Sequence, residues 1–145
     1  MKLLNKDTLQ NINKIKEDFL SKKPFKYTVI EEFFDSELAE KIYQSYPEID
    51  IDNKSWDGTT YLDQRNKFTK TKFTENSILN NVFKSLNSSD FLKEIESITS
   101  IDDLIGDPDL FGGGLHQSVK GAVLNVHIDY NLHPETKFHR RCNLI

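Results

Sequence analysis

From Leu115 to Tyr130 the chain alternates apolar and polar positions with a period of two, whereas most of what precedes it repeats at helical spacing. Leu9, Ile12, Ile15, Phe19 and Leu20 recur every three or four residues after Asp7-Thr8, which predicts a capped helix that Pro24 ends. Tyr27, Val29 and Ile30, within Phe25 to Phe34, favour a short strand. Asp35 or Ser36 caps a second helix carrying Leu38, Ile42, Tyr43 and Tyr46, which Pro47 stops. Glu48 to Lys72 is polar and irregular, holds Trp56 and Tyr61, and reads as a long loop with one strand near Phe68 to Phe73. A third helix spans about Asn76 to Leu86, with Leu79, Val82, Phe83 and Leu86 on one face. A fourth follows Ser88-Ser89-Asp90 and carries Phe91, Leu92, Ile95 and Ile98, and Ser100 caps one further turn through Leu104.

Gly106-Asp107-Pro108 and Gly112-Gly113-Gly114 then break the chain, and the glycine run reads as a bend before a strand. Side chains alternate across a strand, so Val123, Asn125, His127 and Asp129 share one face, and Leu124, Val126, Ile128 and Tyr130 the other. The apolar face needs cover, which the amphipathic helices can provide, and the polar face opens into a cavity. Helices first and strands last make an α+β pattern, a single domain with its helical layer over about 1–105 and its sheet from about 110 to 145. A sheet with helices behind and a polar interior in front is the cross-section of a jelly-roll or cupin-like barrel.

Composition narrows the function. The chain has 145 residues, 37% of them hydrophobic, and a net charge of −4, which suits a globular protein and argues against a nucleic-acid or anionic-membrane surface. Only Arg65, Arg140 and Arg141 among its 19 basic residues are arginines, and two of them follow the His-x-Asp strand, where a planar fork suits carboxylates or phosphates. Cys142 is the sole cysteine, so no intrachain disulfide forms and a reducing, cytoplasmic setting is expected. No run approaches the ~20 apolar residues of a membrane span.

His127 and Asp129 are the candidate metal ligands. An imidazole and a carboxylate side by side are two of the three ligands of the facial triad that binds non-haem Fe(II). His116 and Gln117 lie about a strand length upstream, close enough to touch a metal's ligands; His133 sits in a turn, and His139 adjoins the arginines. No Gly-x-Ser-x-Gly elbow, P-loop or zinc-finger spacing occurs.

Asp107 to Gln117, Gly121, Leu124-Asn125-Val126-His127-Ile128-Asp129-Tyr130-Asn131, His133-Pro134 and Arg140-Arg141-Cys142-Asn143-Leu144 together resemble the bacterial 2-oxoglutarate/Fe(II)-dependent oxygenases of the prolyl 4-hydroxylase-like group. Pro24 to Phe34 with Leu38-Ala39 looks like that group's opening strand and helix. The resemblance implies a double-stranded β-helix with helices packed behind it. It implies Fe(II) bound by His127 and Asp129, with 2-oxoglutarate and O2 as co-substrates and a place for ascorbate. The substrate would be a small molecule or a peptidyl residue. Gln117, Asn125, Arg141 and Asn143 are the expected pocket residues, and no catalytic residue beyond the metal ligands is assigned. The family's distal histidine and its basic 2-oxoglutarate-binding residue lie beyond the Arg-Arg strand and do not occur in these 145 residues. The expectation is therefore an incomplete barrel, inactive by itself, or else a non-catalytic remnant or interaction module of the same fold. A cupin-like metal protein of other chemistry, using His127 and Asp129 with His139 or a neighbouring chain, is the third reading.

Overall fold

Leu3 and Leu4 lie ahead of the first helix and are nearly as buried as any residue, at 3% and 5% exposed, because the helices that follow close around them. The computed structural model describes residues 1–49, 57–61 and 64–145. They form an α+β protein whose chain divides into two units, one made of residues 1–46 and 74–108 and the other of 47–73 and 109–145.

The first unit is helical: α1 (Lys6–Gln10), α2 (Ile12–Ser21), α3 (Ser36–Gln44), α4 (Ile78–Leu86) and α5 (Ser89–Thr99). Leu3, Leu4, Leu38, Val82 and Phe91 make its core, with Leu9, Phe33, Phe34, Ile42, Ile78, Leu86 and Ile95 packed against it. Side-chain caps set four of the helix starts. The carboxylate of Asp35 accepts from the Leu38 amide at 2.9 Å, and the hydroxyls of Ser77 and Ser88 accept from the amides of Asn80 and Phe91. The expected first helix is two. Asn5, rather than Asp7 or Thr8, caps α1, and Asn11 ends it by donating its side-chain amide to the Asp7 carbonyl at 2.8 Å.

Two further expectations are corrected. Residues 25–34 are not a strand. Tyr27 and Val29 stay 46% and 76% exposed, and β-favouring side chains without a partner strand have nothing to pack against. Ser100 does not cap a following helix but ends α5 in the left-handed region, with φ 56°, and no helix covers Asp102-Asp103.

The second unit is an antiparallel sheet in the order β1 (Asp57–Tyr61), β2 (Gln64–Lys70) and β3 (Leu115–Leu124). The expected long loop thus contributes two strands, and Trp56 lies outside the described residues. Along β3 residues 115 to 120 alternate between half-buried and exposed, as the sequence pattern requires. The alternation then breaks at a bulge: Arg65 pairs with Val123 but Lys67 with Ser118. Asn66 and Gly121, both at positive φ, absorb the extra residues, and the Asn66 side chain donates to the Lys120 carbonyl.

The strand stops at Leu124, so the expected strand through Tyr130 is corrected. The cause is register: Leu124 pairs with Gln64, where β2 begins. Beyond that point no ladder among the described residues holds the chain extended, and Leu124, Val126 and Ile128 are 48%, 105% and 92% exposed. The strands described here make one open sheet. Among the described residues no helix is long and apolar enough to cross a membrane.

Truncating Phe91 to alanine should cost about 3–5 kcal/mol, read as a lowered urea midpoint, because its ring is 6% exposed within the core. Tyr43→Ala, at a residue 77% exposed, should stay within about 0.5 kcal/mol of the parent. Equal losses in both would show that the core is not where the burial pattern puts it.

Candidate functional site

Past Leu124 the chain turns back on itself. Leu132 bridges His139, the Arg140 amide donates to the Asn131 carbonyl at 2.8 Å, and the His133 amide donates to Phe138. His133 organises this turn: its Nδ1 accepts from the amides of Glu135 and Thr136 at 3.3 and 3.2 Å. The fold-back carries Arg140 and Asn143 to the side of Asp129 although neither segment is a strand.

Asp129 is the hub. Its Oδ1 lies 3.5 Å from Nε2 of His127. Its Oδ2 accepts from the Asn143 amide at 3.2 Å and lies 3.5 Å from Nη1 of Arg140. Nδ1 of His127 is 2.8 Å from the carbonyl of its near neighbour Asn125. A carbonyl can only accept, so Nδ1 carries the proton, and a neutral imidazole keeps its lone pair on Nε2. The pair thus presents one nitrogen and one oxygen, both electron donors, with each group's other polar atom already engaged. Two species satisfy such a pair: a proton, giving an ion pair, or a metal cation bound to both.

The donor set fits a first-row metal. Ligands at right angles on an ion at ~2.1 Å are ~3.0 Å apart, so the observed gap closes with a shift of about 0.5 Å. The side chains are accessible enough to make it, at 38% and 51% exposed. Among the described residues no third His, Cys, Asp or Glu side chain joins them. His139 pairs with Leu132 through its backbone, and its side chain is not grouped with His127 and Asp129.

Next to Asp129 an open cavity of about 180 Å³ is lined by Asp129, Tyr130, Asn131, Arg140, Arg141, Cys142 and Asn143. It is smaller than the ~300–1,000 Å³ of pockets for drug-sized ligands and opens broadly to solvent.

Of the four expected pocket residues, the structure brings Arg141 and Asn143 to this cavity. Asn125 acts through its backbone carbonyl instead of lining a strand face. Gln117 sits on β3 with its Oε1 buried and unpartnered, and it is not among the cavity residues. His116, Gln117's neighbour, donates from Nε2 to the Gly113 carbonyl at 3.1 Å, which ties it to the glycine turn.

Three contributors were not among the expected site residues: Arg140 beside Arg141, Tyr130, and the Phe111-Gly112 turn. The Arg140 guanidinium carbon lies over the Tyr130 ring, 4.9 Å from its centroid. The Tyr130 hydroxyl donates to the Phe111 carbonyl, and the two rings meet edge to face at 4.9 Å. At Gly112, with φ +69°, a Cβ would lie 2.7 Å from Cε1 of Tyr130, so the glycine is the seat for that ring. The one sequence signal for Arg140 was the scarcity of arginine; strand parity had set Tyr130 on the wrong face.

Comparison of the chain with protein-family models, with curated proteins and with solved structures returns no match.

Burial lowers the pKa of His116 from its ordinary 6.5, and the nearby Lys67 ammonium adds to the effect. A histidine held neutral by folding gains protons first in the unfolded chain. Stability should therefore be highest above the unfolded value and fall as pH drops through 6.5 towards the lower folded value. Urea midpoints of the wild type and His116→Gln, compared from about pH 7.5 to about pH 5, should diverge in that direction. Parallel curves would remove His116 from the account.

Proposed function

We propose that this chain carries the metal-binding part of an Fe(II)- and 2-oxoglutarate-dependent dioxygenase, hydroxylating an unactivated C–H bond as prolyl 4-hydroxylase-like enzymes do. The observation that carries the reading is the His127 Nε2 and Asp129 Oδ1 pair, 3.5 Å apart, with the remaining atoms of both groups already engaged. One imidazole and one carboxylate are donors that Fe(II) accepts while keeping positions open for small ligands. The likeness of residues 107–144 to that oxygenase group supports the same reading. The double-stranded β-helix belongs to this proposal, with the sheet that ends at Leu124 as its beginning.

Bound Fe(II) would supply the redox chemistry that couples O2 and 2-oxoglutarate to hydroxylation. The chain's own contribution is geometric and electrostatic. The Asn125 carbonyl fixes the imidazole tautomer, as outer-shell acceptors do for metal-bound histidines. Asn143 and Arg140 hold one carboxylate oxygen and leave the other to the metal. Arg141, on the wall of the cavity, offers a planar fork to a carboxylate of the co-substrate or the substrate. The cavity's size favours a small molecule, or a single side chain of a peptide, over a bulky ligand.

A second reading is a non-catalytic interaction module of the same fold. It is favoured by the lack of a third metal-binding side chain among the described residues.

Anaerobic titration with Fe(II), or with Co(II) as a spectroscopic stand-in, separates the two. The dioxygenase reading expects weak one-to-one binding that 2-oxoglutarate tightens and that His127→Ala and Asp129→Ala each abolish. Binding that is absent, or indifferent to both substitutions, would leave the interaction module.

A further inference from the structure

The carboxylate of Asp129 is half exposed and sits on a segment with no strand ladder to brace it, so its orientation must come from its neighbours. Resting on the metal-site reading above, we propose that Arg140 is a positioning residue for Asp129, itself held by a Tyr130 ring seated on Gly112.

The contacts run in order. Arg140 is the better-buried partner of its ion pair, 26% exposed against 51% for Asp129, and its guanidinium carbon lies over the Tyr130 ring, 4.9 Å from the centroid. Its backbone is pinned as well, through the amide that donates to the Asn131 carbonyl. Tyr130 is fixed at both ends. Its hydroxyl donates to the Phe111 carbonyl, and its ring covers Gly112 so closely that a Cβ there would come within 2.7 Å of Cε1 and 3.0 Å of the hydroxyl oxygen. An arginine so constrained approaches Oδ2 at 3.5 Å, and Asn143 engages the same oxygen. Both donors on one oxygen turn the other towards His127. That is the arrangement a carboxylate needs to bind a metal through one oxygen.

Stability is a poor explanation for this construction, since partly exposed ion pairs contribute little to folding. Orientation of a ligand is a better one, because outer-shell partners commonly change metal affinity ~10–100-fold.

The test uses the whole chain and Co(II) alone as probe, following affinity by titration and the visible absorption spectrum at saturating metal. Arg140→Met should weaken binding by ~10–100-fold and alter the spectrum, while its urea midpoint stays near the parent's. Arg140→Lys should recover only part of the affinity, because an ammonium has neither the flat face nor the fork. Tyr130→Leu should weaken binding in the same direction. Gly112→Ala should do so too, and combining it with Arg140→Met should add little if both act through one contact chain. Arg140→Met with wild-type affinity and spectrum would overturn the positioning role and leave the metal site standing. Full additivity of the Gly112 and Arg140 substitutions would overturn the seat. A wild-type chain that binds no Co(II) would overturn the metal reading and this proposal together.

Discussion

Pairing of Leu132 with His139, closed by the Arg140 amide on the Asn131 carbonyl, is the constraint from which the candidate site follows. Without it, Arg140 and Asn143 would be eleven and fourteen residues away from Asp129 along the chain; with it they share one of its oxygens. The pairing is short, so the turn must be specified locally. His133 does this by accepting two backbone amides, a capping task that a histidine performs only with an unprotonated Nδ1. Its ring also lies 5.5 Å from that of Phe111, which joins the turn to the loop on which Tyr130 rests.

The helical half was legible because its signals are local. Asp35, Ser77 and Ser88 are capping residues at the right distance from Leu38, Val82 and Phe91, and those three side chains are buried. Tyr43, which shares a helix with Leu38, points to water, since α3 is short and only one stripe of it meets the core. The break at Asn11 was hidden by the apolar periodicity that runs across it: asparagine favours caps and turns, and the bond from its side chain to the Asp7 carbonyl marks where one helix ends and the next opens.

The strand region shows a different limit. Period-two alternation from Leu115 predicted β3 correctly, but alternation alone does not tell whether a partner strand is present. It is present up to Gln64, opposite Leu124, and the pattern beyond continues without one. The parity argument therefore grouped Asn125, His127 and Asp129 for a reason that does not apply to them. His127 and Asp129 still meet, through the Asn125 carbonyl and the fold-back. Arg140 and Tyr130 were out of reach of sequence periodicity because their meeting depends on a turn geometry and on a glycine's missing side chain.

The interleaving of the two units along the chain bears on how the molecule assembles. β2 must find β3 across a span that contains α4 and α5, which the Lys70–Leu115 rung closes at the near end of the ladder and the Gln64–Leu124 rung at the far end. Closing so long a loop carries an entropic cost before any ladder bond repays it. Helices whose contacts are local form sooner and shorten the span. By this reasoning the sheet zips last, whereas Asp129, which lies past its final rung, takes its neighbours Arg140 and Asn143 from the local fold-back that follows it.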